Sequence, residues 1–140
     1  MFFRRHILFC LFLLVMCGFV HAQVRFARTT LDLGTIPEDT VRLPRCEFSF
    51  VNEGDTVVAL SRVSTSCGCL RASYGKRPVQ PGQTGYVIVT FDPAGHPGKF
   101  LRKVSVYFAG QVRPYVLQIK GTVAPARRSG QQFPSYPFRR

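Results

Sequence analysis

The sequence has no tryptophan and only three histidines among its 140 residues. A tryptophan packed on an inter-sheet disulfide marks the antibody-type domain core, so its absence excludes that pattern. Histidine is the side chain most often used for general acid–base catalysis, and its scarcity restricts such chemistry. The sequence also has no His-Glu-x-x-His motif, nucleophile elbow or phosphate-binding glycine loop. These absences predict a protein that is not an enzyme.

Acidic residues are scarce as well. Seven Asp and Glu stand against 19 Lys and Arg, which gives a formal net charge of +12. A basic balance of this size favours anionic partners, such as an acidic protein or an anionic component of the cell envelope. No nucleic-acid-binding motif is present, and the export predicted below keeps the chain away from nucleic acid. We expect an acidic protein partner in the envelope and no nucleic acid.

Residues 1–22 predict a secretory signal peptide. Arg4 and Arg5 precede an apolar run, Ile7 to Val20, and the small residue Ala22 ends the segment. The apolar run is too short for a comfortable transmembrane helix, and no stop-transfer charges follow it. We expect cleavage after Ala22, and hence a periplasmic, envelope-associated or extracellular protein.

Cleavage at this point leaves a mature chain that begins at Gln23 and has no transmembrane span. It keeps 17 of the basic residues and all seven acids, so its net charge is +10. A lipoprotein signal with Cys17 as the acylated residue fits less well, because Met16 stands where a small residue is required.

Residues 23–123 have the alternation of β-strands. Cys46, Phe48 and Phe50 occupy every second position and predict the buried face of one strand. Val87 to Phe91 repeats the pattern, and Val104 to Phe108 does so again, with Arg102 at or near the surface. Segments rich in glycine and proline, including residues 71–85, separate these runs. About seven short strands predict an all-β sandwich without helices.

The segment that leads to the later cysteines breaks its period once. Residues 57–64 predict a strand, but Val63 is out of phase by one position, and a bulge near residues 61–62 restores the register. From there the same face continues through Cys67 and Cys69. Both cysteine side chains are therefore predicted to lie on one side of an extended strand.

Three cysteines of the mature chain, Cys46, Cys67 and Cys69, allow three interpretations. In the first, Cys67 and Cys69 are small semi-buried residues, reduced or variably oxidised. Alternatively, Cys46 forms a disulfide with Cys67 or Cys69, which closes a loop of about 20 residues and contributes roughly 3 kcal/mol. In the third, Cys67 and Cys69 bind Cu(I) or zinc with Cys46 and His96. Zinc motifs pair two such clusters and only one is present, so we expect no metal and no cofactor.

Residues 124–140 differ from the domain in composition. They contain prolines, arginines and aromatic residues but no acid. The segment is interpreted either as a flexible solvated tail or as a recognition arm for an acidic or grooved partner. The candidate partner-binding residues are Arg127, Arg128, Phe133, Tyr136, Phe138, Arg139 and Arg140.

Six short motifs follow one another in a fixed order. They are residues 34–38 (GTIPE), 48–54 (FSFVNEG), 66–69 (SCGC), 78–82 (PVQPG), 89–93 (VTFDP) and 117–121 (LQIKG). Together they make the chain, from Leu31 to Val123, similar to bacterial secreted domains of unknown function with a Ser-Cys-Gly-Cys motif. Those domains are common in Bacteroidetes and are related to Hydin-like and major-sperm-protein-like domains.

The resemblance implies a seven-stranded immunoglobulin-like β-sandwich that is exported and has no established catalytic activity. His96, in place of a frequent arginine, and Cys46, in place of a plain hydrophobic residue, depart from the family pattern. We therefore expect an exported, non-enzymatic immunoglobulin-like module for protein–protein interaction or envelope scaffolding. The alternative is a thiol-dependent envelope protein that binds a soft metal or exchanges disulfides through Cys67 and Cys69.

Overall fold

The chain forms eight β-strands in a computed structural model, which describes residues 23–126. No helix among these residues is long and apolar enough to cross a membrane. In chain order the strands are β1 (Val24–Phe26), β2 (Thr30–Pro37), β3 (Arg45–Asn52), β4 (Leu60–Thr65), β5 (Leu70–Tyr74), β6 (Thr84–Phe91), β7 (Gly98–Phe108) and β8 (Tyr115–Ala124).

The strands form two four-stranded sheets. The first sheet has the order β1-β3-β6-β5, and the second has the order β2-β8-β7-β4. Neighbouring strands are antiparallel, except that β2 runs parallel to β8. The predicted all-β sandwich is therefore confirmed.

The strand count is eight rather than seven. The first extended segment divides between the sheets, because β1 pairs with β3 whereas β2 pairs with β8. In addition, all of β5 except Leu70 falls within residues 71–85, which were predicted to be rich in turns. Its inward positions include the small Ala72 and the half-buried Tyr74, so the apolar alternation that signals a strand is faint there.

The core lies between the sheets and contains the residues that the alternation predicts. Phe48, Phe50, Val87, Val89 and Phe91 are all fully buried. Alternation identified them because successive side chains of a strand point to opposite faces of its sheet.

Aromatic rings fill one end of this core. The rings of Phe50 and Phe108 meet edge to face with centroids 5.1 Å apart, and Phe26 lies 5.4 Å from Phe50. Tyr115 completes the cluster at 5.6 Å from Phe108. Edge-to-face geometry is favourable because the positive edge of one ring meets the negative face of the other.

The predicted bulge is present in β4. Its pairing with β7 shifts register between Leu60 and Arg62, one residue before Val63. The shift returns Val63 to the inward side, where it packs against the core. Arg62 points outward, with its guanidinium carbon 4.3 Å from the centre of the Tyr107 ring.

The predicted signal peptide and most of the predicted tail lie outside the described residues. Strand β8 continues to Ala124, which pairs with Pro37 of β2, one residue past the predicted domain boundary. The partner-binding candidates outside the described residues are Arg127, Arg128, Phe133, Tyr136, Phe138, Arg139 and Arg140.

Candidate functional site

The later cysteines lie in a turn and not on a strand. Strand β4 ends at Thr65 and β5 begins at Leu70, so the intervening residues carry the chain from the second sheet to the first. The Leu70 amide donates a hydrogen bond to the Cys67 carbonyl oxygen at 3.3 Å, which closes the turn. The predicted continuation of the strand through Cys69 is therefore wrong. We call residues 66–69 the cysteine turn.

The cysteine turn contains a disulfide between Cys67 and Cys69, whose Cα atoms are 5.2 Å apart. This pairing differs from the predicted bridge to Cys46. Cys46 and Ala72 flank Val89 from opposite sides in the first sheet, so two strand spacings, about 10 Å, separate β3 from β5. That spacing alone exceeds the ~7 Å that a disulfide spans between Cα atoms.

Cys46 is instead a core residue with a free thiol. Only 3% of its surface is exposed. Burial raises the pKa of this thiol from 9.0 to about 11, because the apolar surroundings disfavour the thiolate. At neutral pH it is a small hydrophobic side chain.

The structure does not bring the four metal-ligand candidates together. His96 is exposed in the loop between β6 and β7, Cys46 lies in the core, and Cys67 is bonded to Cys69. Within residues 23–126, no group of three or more His, Cys, Asp or Glu side chains is arranged to hold a metal ion.

Hydrogen bonds from two directions fix the cysteine turn. The Ser66 amide donates to the Lys103 carbonyl oxygen, and the Lys103 amide donates to Ser66 Oγ, both at 3.0 Å. On the other side the Asp92 amide donates to the Cys69 carbonyl oxygen at 2.8 Å. None of these bonds involves a sulfur atom, so the backbone of the turn is held independently of the disulfide.

The two sulfur-bearing residues differ in exposure. Cys69 is 8% exposed, whereas Cys67 is half-buried and packs against the rim of the core. Gly68 between them is exposed, and no heavy atom lies within 4 Å of the place where its Cβ would stand. One side of the cysteine turn therefore faces open space.

Arg102 lies beside this turn on β7, and the sequence predicts it to be at or near the surface. It occupies an inward position of β7, between the buried Phe100 and Val104, and it is half-buried. Its Nε is buried and has no hydrogen-bond partner among the described residues. Nη1 donates to the Leu101 carbonyl oxygen at 3.4 Å. Phe100, Arg102 and Val104 occupy every second position of the sequence, and this alternation was the signal that Arg102 lies on the inward side.

A second feature is the outer face of the second sheet, which carries an excess of positive charge. Two exposed apolar residues, Leu101 and Val116, lie among these charges with exposed fractions of 51% and 43%. The acid on this face, Asp32, forms an ion pair of 3.6 Å with one of the lysines. We call the basic set the cationic face: Arg62, Lys99, Lys103 and Lys120.

Glu38 ties the start of the tail to the domain. Its Oε2 accepts a hydrogen bond from the Ala126 amide at 3.0 Å, and its Oε1 accepts one from the Gly95 amide at 3.1 Å. One carboxylate therefore links the end of β2 to both the loop after β6 and the residue from which the tail departs.

The chain is similar to a known sequence family and to solved structures. The family described as "Protein of unknown function (DUF1573)" matches residues 24–123. No curated protein has a sequence that matches this chain. A protein of unknown function from Porphyromonas gingivalis W83 is similar in structure, with 18% identity and a TM-score of 0.61. That similarity covers 77% of this chain and 51% of the other.

Two further structures share the fold. The PapD-like domain 7 of human CEP192 has 16% identity and a TM-score of 0.56, over 74% of this chain and 87% of that domain. The Vibrio cholerae protease VesB has 16% identity and a TM-score of 0.56, over 72% of this chain and 32% of the protease. The chain thus spans about half of the Porphyromonas protein and about a third of the protease. At these identities the likeness shows the fold alone.

Proposed function

We propose that this chain, which belongs to the DUF1573 family of proteins of unknown function, is an exported, non-enzymatic interaction module. The strand order supports an immunoglobulin-like sandwich. If β1 and β2 are counted as two halves of one first strand, the sheets follow the order of that fold in a seven-strand count. Such sandwiches serve as rigid supports for binding surfaces in many unrelated proteins.

The observation that carries the proposal is the cationic face. Protein interfaces combine exposed apolar side chains with charges that complement the partner. Here Leu101 and Val116 supply the apolar contacts, and four cations surround them with a single paired acid. The partner that fits is a protein with an acidic surface and an apolar patch of its own.

The edge strands β4 and β5 are weaker candidates for the contact. Strand β4 is an edge of the second sheet, but its bulge and the exposed Arg62 disturb the regular row of hydrogen bonds that an added strand requires. Strand β5 is an edge of the first sheet and has only five residues. We therefore place the partner on the cationic face rather than along these edges.

The tail supplies further charge of the same sign. The four arginines Arg127, Arg128, Arg139 and Arg140 follow Ala126 in the sequence, and Glu38 fixes that residue to the domain. Arginine forms paired, charge-assisted hydrogen bonds with carboxylates, so the tail suits the same acidic partner.

Site-specific crosslinking in intact cells tests the proposal. A photo-crosslinking amino acid at Leu101 should yield one discrete protein adduct, and the same amino acid at Ile88, on the outer face of the first sheet, should not. Substitution Lys103→Glu should weaken the adduct at Leu101, because it reverses one charge of the cationic face. Equal adducts at both positions, or an adduct indifferent to Lys103→Glu, would contradict the assignment.

Two simpler measurements test the predicted export and the role of the tail. Amino-terminal sequencing of the protein isolated from cells should begin at Gln23 if the chain is exported and cleaved as proposed. Deletion of residues 127–140 should weaken the adduct while leaving thermal unfolding unchanged, since β8 and the bond between Ala126 and Glu38 are retained. Unfolding of the truncated protein would count against an independent tail.

A further inference from the structure

We infer that the Cys67–Cys69 disulfide is a thiol–disulfide exchange site whose reactant is a protein dithiol. A thiolate of the reactant attacks Cys67 Sγ and forms a mixed disulfide. The bond between the two sulfurs breaks, and its electron pair leaves on Cys69 Sγ, which takes up a proton. The second thiolate of the reactant then attacks the reactant sulfur of the mixed disulfide and releases Cys67 as a thiolate, which is protonated in turn. The dithiol loses two electrons, and Cys67–Cys69 gains them.

The first support is that this bond closes a very short loop and therefore constrains the chain little. A disulfide restricts the unfolded chain more strongly the longer the loop it closes, and here a single residue separates the two cysteines. The backbone of the turn is held by the bonds between Ser66 and Lys103 and between Asp92 and Cys69. A structural bridge is expected where it closes a long loop, which this one does not.

The second support is access from one side. Exchange requires that a thiolate reach one of the two sulfurs, and exposed disulfides are the labile ones. Cys67 is half-buried, Gly68 faces open space and Cys69 is buried. Attack at Cys67, with the buried Cys69 as leaving group, is the order that this geometry favours.

The third support is the charge that faces the turn. The paired bonds between Ser66 and Lys103 follow the last β4–β7 pair, Thr65 with Val104, and hold the start of the cysteine turn against β7 beside Arg102. Arg102 is two positions from the inward Val104 on β7 and lies on the inward side, and Cys67 packs against the same core.

Arg102 has a buried Nε without a hydrogen-bond acceptor among the described residues, and a thiolate in the reduced turn would supply one. The side chains of Lys103 and Arg71 lie on the outer faces of the two sheets, so Arg102 is the inward cation beside the turn. Asp92 contacts the turn through its backbone amide, and its carboxylate Oδ1 accepts the Ala94 amide at 3.1 Å. Positive surroundings stabilise the thiolates of the reduced form, and they make the disulfide a better oxidant.

Cys46 takes no part in this chemistry. It is buried two strands away in the first sheet, and its thiol resists ionisation. Cys46 therefore serves as an internal control: it is a third cysteine that should not exchange.

Oxidation of a dithiol peptide by the protein tests the inference directly. The purified protein is mixed with a reduced synthetic peptide that contains two cysteines, and oxidation of the peptide is followed by mass. The wild type and Cys46→Ala should each oxidise about one equivalent of peptide. The double variant Cys67→Ser with Cys69→Ser should oxidise none. Failure of the wild type to oxidise the peptide, or equal transfer by the double variant, would overturn the inference.

A second experiment tests which sulfur is attacked. In the Cys46→Ala background, Cys69→Ser leaves Cys67 alone and Cys67→Ser leaves Cys69 alone. Reaction with a coloured aromatic disulfide should be about tenfold or more faster for Cys67 than for Cys69, because thiol exchange follows access and thiolate fraction. Faster reaction of Cys69 would overturn the proposed order of attack.

The role of Arg102 as a positioning residue is tested by the thiol pKa. Arg102→Gln should raise the pKa of the reduced turn, read from the thiolate absorbance against pH, and each unit of increase corresponds to about a tenfold change in the ionisation constant. Arg62→Gln, a charge loss on the same sheet over Tyr107, should leave the pKa unchanged. An unchanged pKa in Arg102→Gln would refute this role. The crosslink at Leu101 needs neither cysteine, so failure of the exchange and failure of the binding function are distinguishable.

Discussion

The side chain of Asn52 donates a hydrogen bond to the carbonyl oxygen of Val79 at 3.0 Å, between the end of β3 and the loop before β6. Nδ2 also donates to the Thr56 carbonyl oxygen at 2.8 Å, and Oδ1 accepts the Gly54 amide at 3.1 Å. Asn52 itself is fully buried. One buried amide thus joins the strand to two loops and has its own polar atoms, which water does not reach, satisfied by hydrogen bonds.

We expect Asn52→Ala to lower the free energy of unfolding by about 2–4 kcal/mol. The substitution removes the partners of buried or half-buried groups, and unsatisfied groups of this kind cost about 1–3 kcal/mol each. Urea unfolding measures the change. Thr40→Ala is the matched control: its exposed hydroxyl donates to the Arg42 carbonyl oxygen at 3.2 Å, and its loss should cost less than about 0.5 kcal/mol. Equal effects of the two substitutions would contradict this account.

Gly85 allows β6 to pass close to the aromatic core. A Cβ at this position would overlap the ring of Phe50, which is fully buried and packed against Phe26 and Phe108. The ring has no room to yield, and overpacking of this kind costs about 1–3 kcal/mol. We therefore expect Gly85→Ala to lower the melting temperature, whereas Gly75→Ala, where the Cβ meets no atom within 4 Å, should leave it nearly unchanged.

The sequence was sufficient to predict the strands whose inward residues are large. Phe48 and Phe50 on β3, and Val87 and Val89 on β6, alternate with polar residues, and burying such side chains is a strong driving force. The bulge in β4 was predictable for the same reason, since the out-of-phase Val63 still had to reach the core. Strand β5 was missed because Ala72 buries little apolar surface.

The candidate site was harder to predict, because it depends on where the sheets meet. Periodicity extended β4 through Cys69, but hydrogen bonds to Lys103 and Asp92 turn the chain toward the other sheet after Thr65. Sequence cannot show that β3 and β5 lie two strands apart, and that separation keeps Cys69, which directly precedes β5, out of reach of Cys46. Charge favoured a surface position for Arg102, whereas its place in the alternation of β7 determines its inward position.

Loss of the disulfide should cost little stability. The chain-entropy model gives roughly 1.5 kcal/mol for a loop this short, against roughly 3 kcal/mol for a loop of about 20 residues. We expect the double variant Cys67→Ser with Cys69→Ser to unfold cooperatively, with a free energy of unfolding lower by about 1–2 kcal/mol. Chemical reduction of the wild type should give the same decrease. A loss well above 3 kcal/mol, or loss of the folded state, would show that the bond is a structural requirement.

The buried thiol of Cys46 should make stability depend on alkaline pH. Its pKa is 9.0 in the ordinary state and about 11 in the folded protein. Between these values the unfolded chain loses the thiol proton while the folded chain keeps it, so the folded state binds more protons and stability falls as pH rises. The contribution is fully present below about pH 9, and two pKa units correspond to about 2–3 kcal/mol lost by about pH 11.

Unfolding of the wild type and Cys46→Ala at several pH values between 8 and 11 isolates this effect, because tyrosine and lysine titrations are common to both proteins. We expect the wild type to lose more stability than the variant across this range. Native Cys46 should also resist alkylation near pH 8 and react once the protein is unfolded in urea. Parallel stability curves for the two proteins, or rapid alkylation of the folded wild type at Cys46, would show that this thiol ionises as freely as an exposed one.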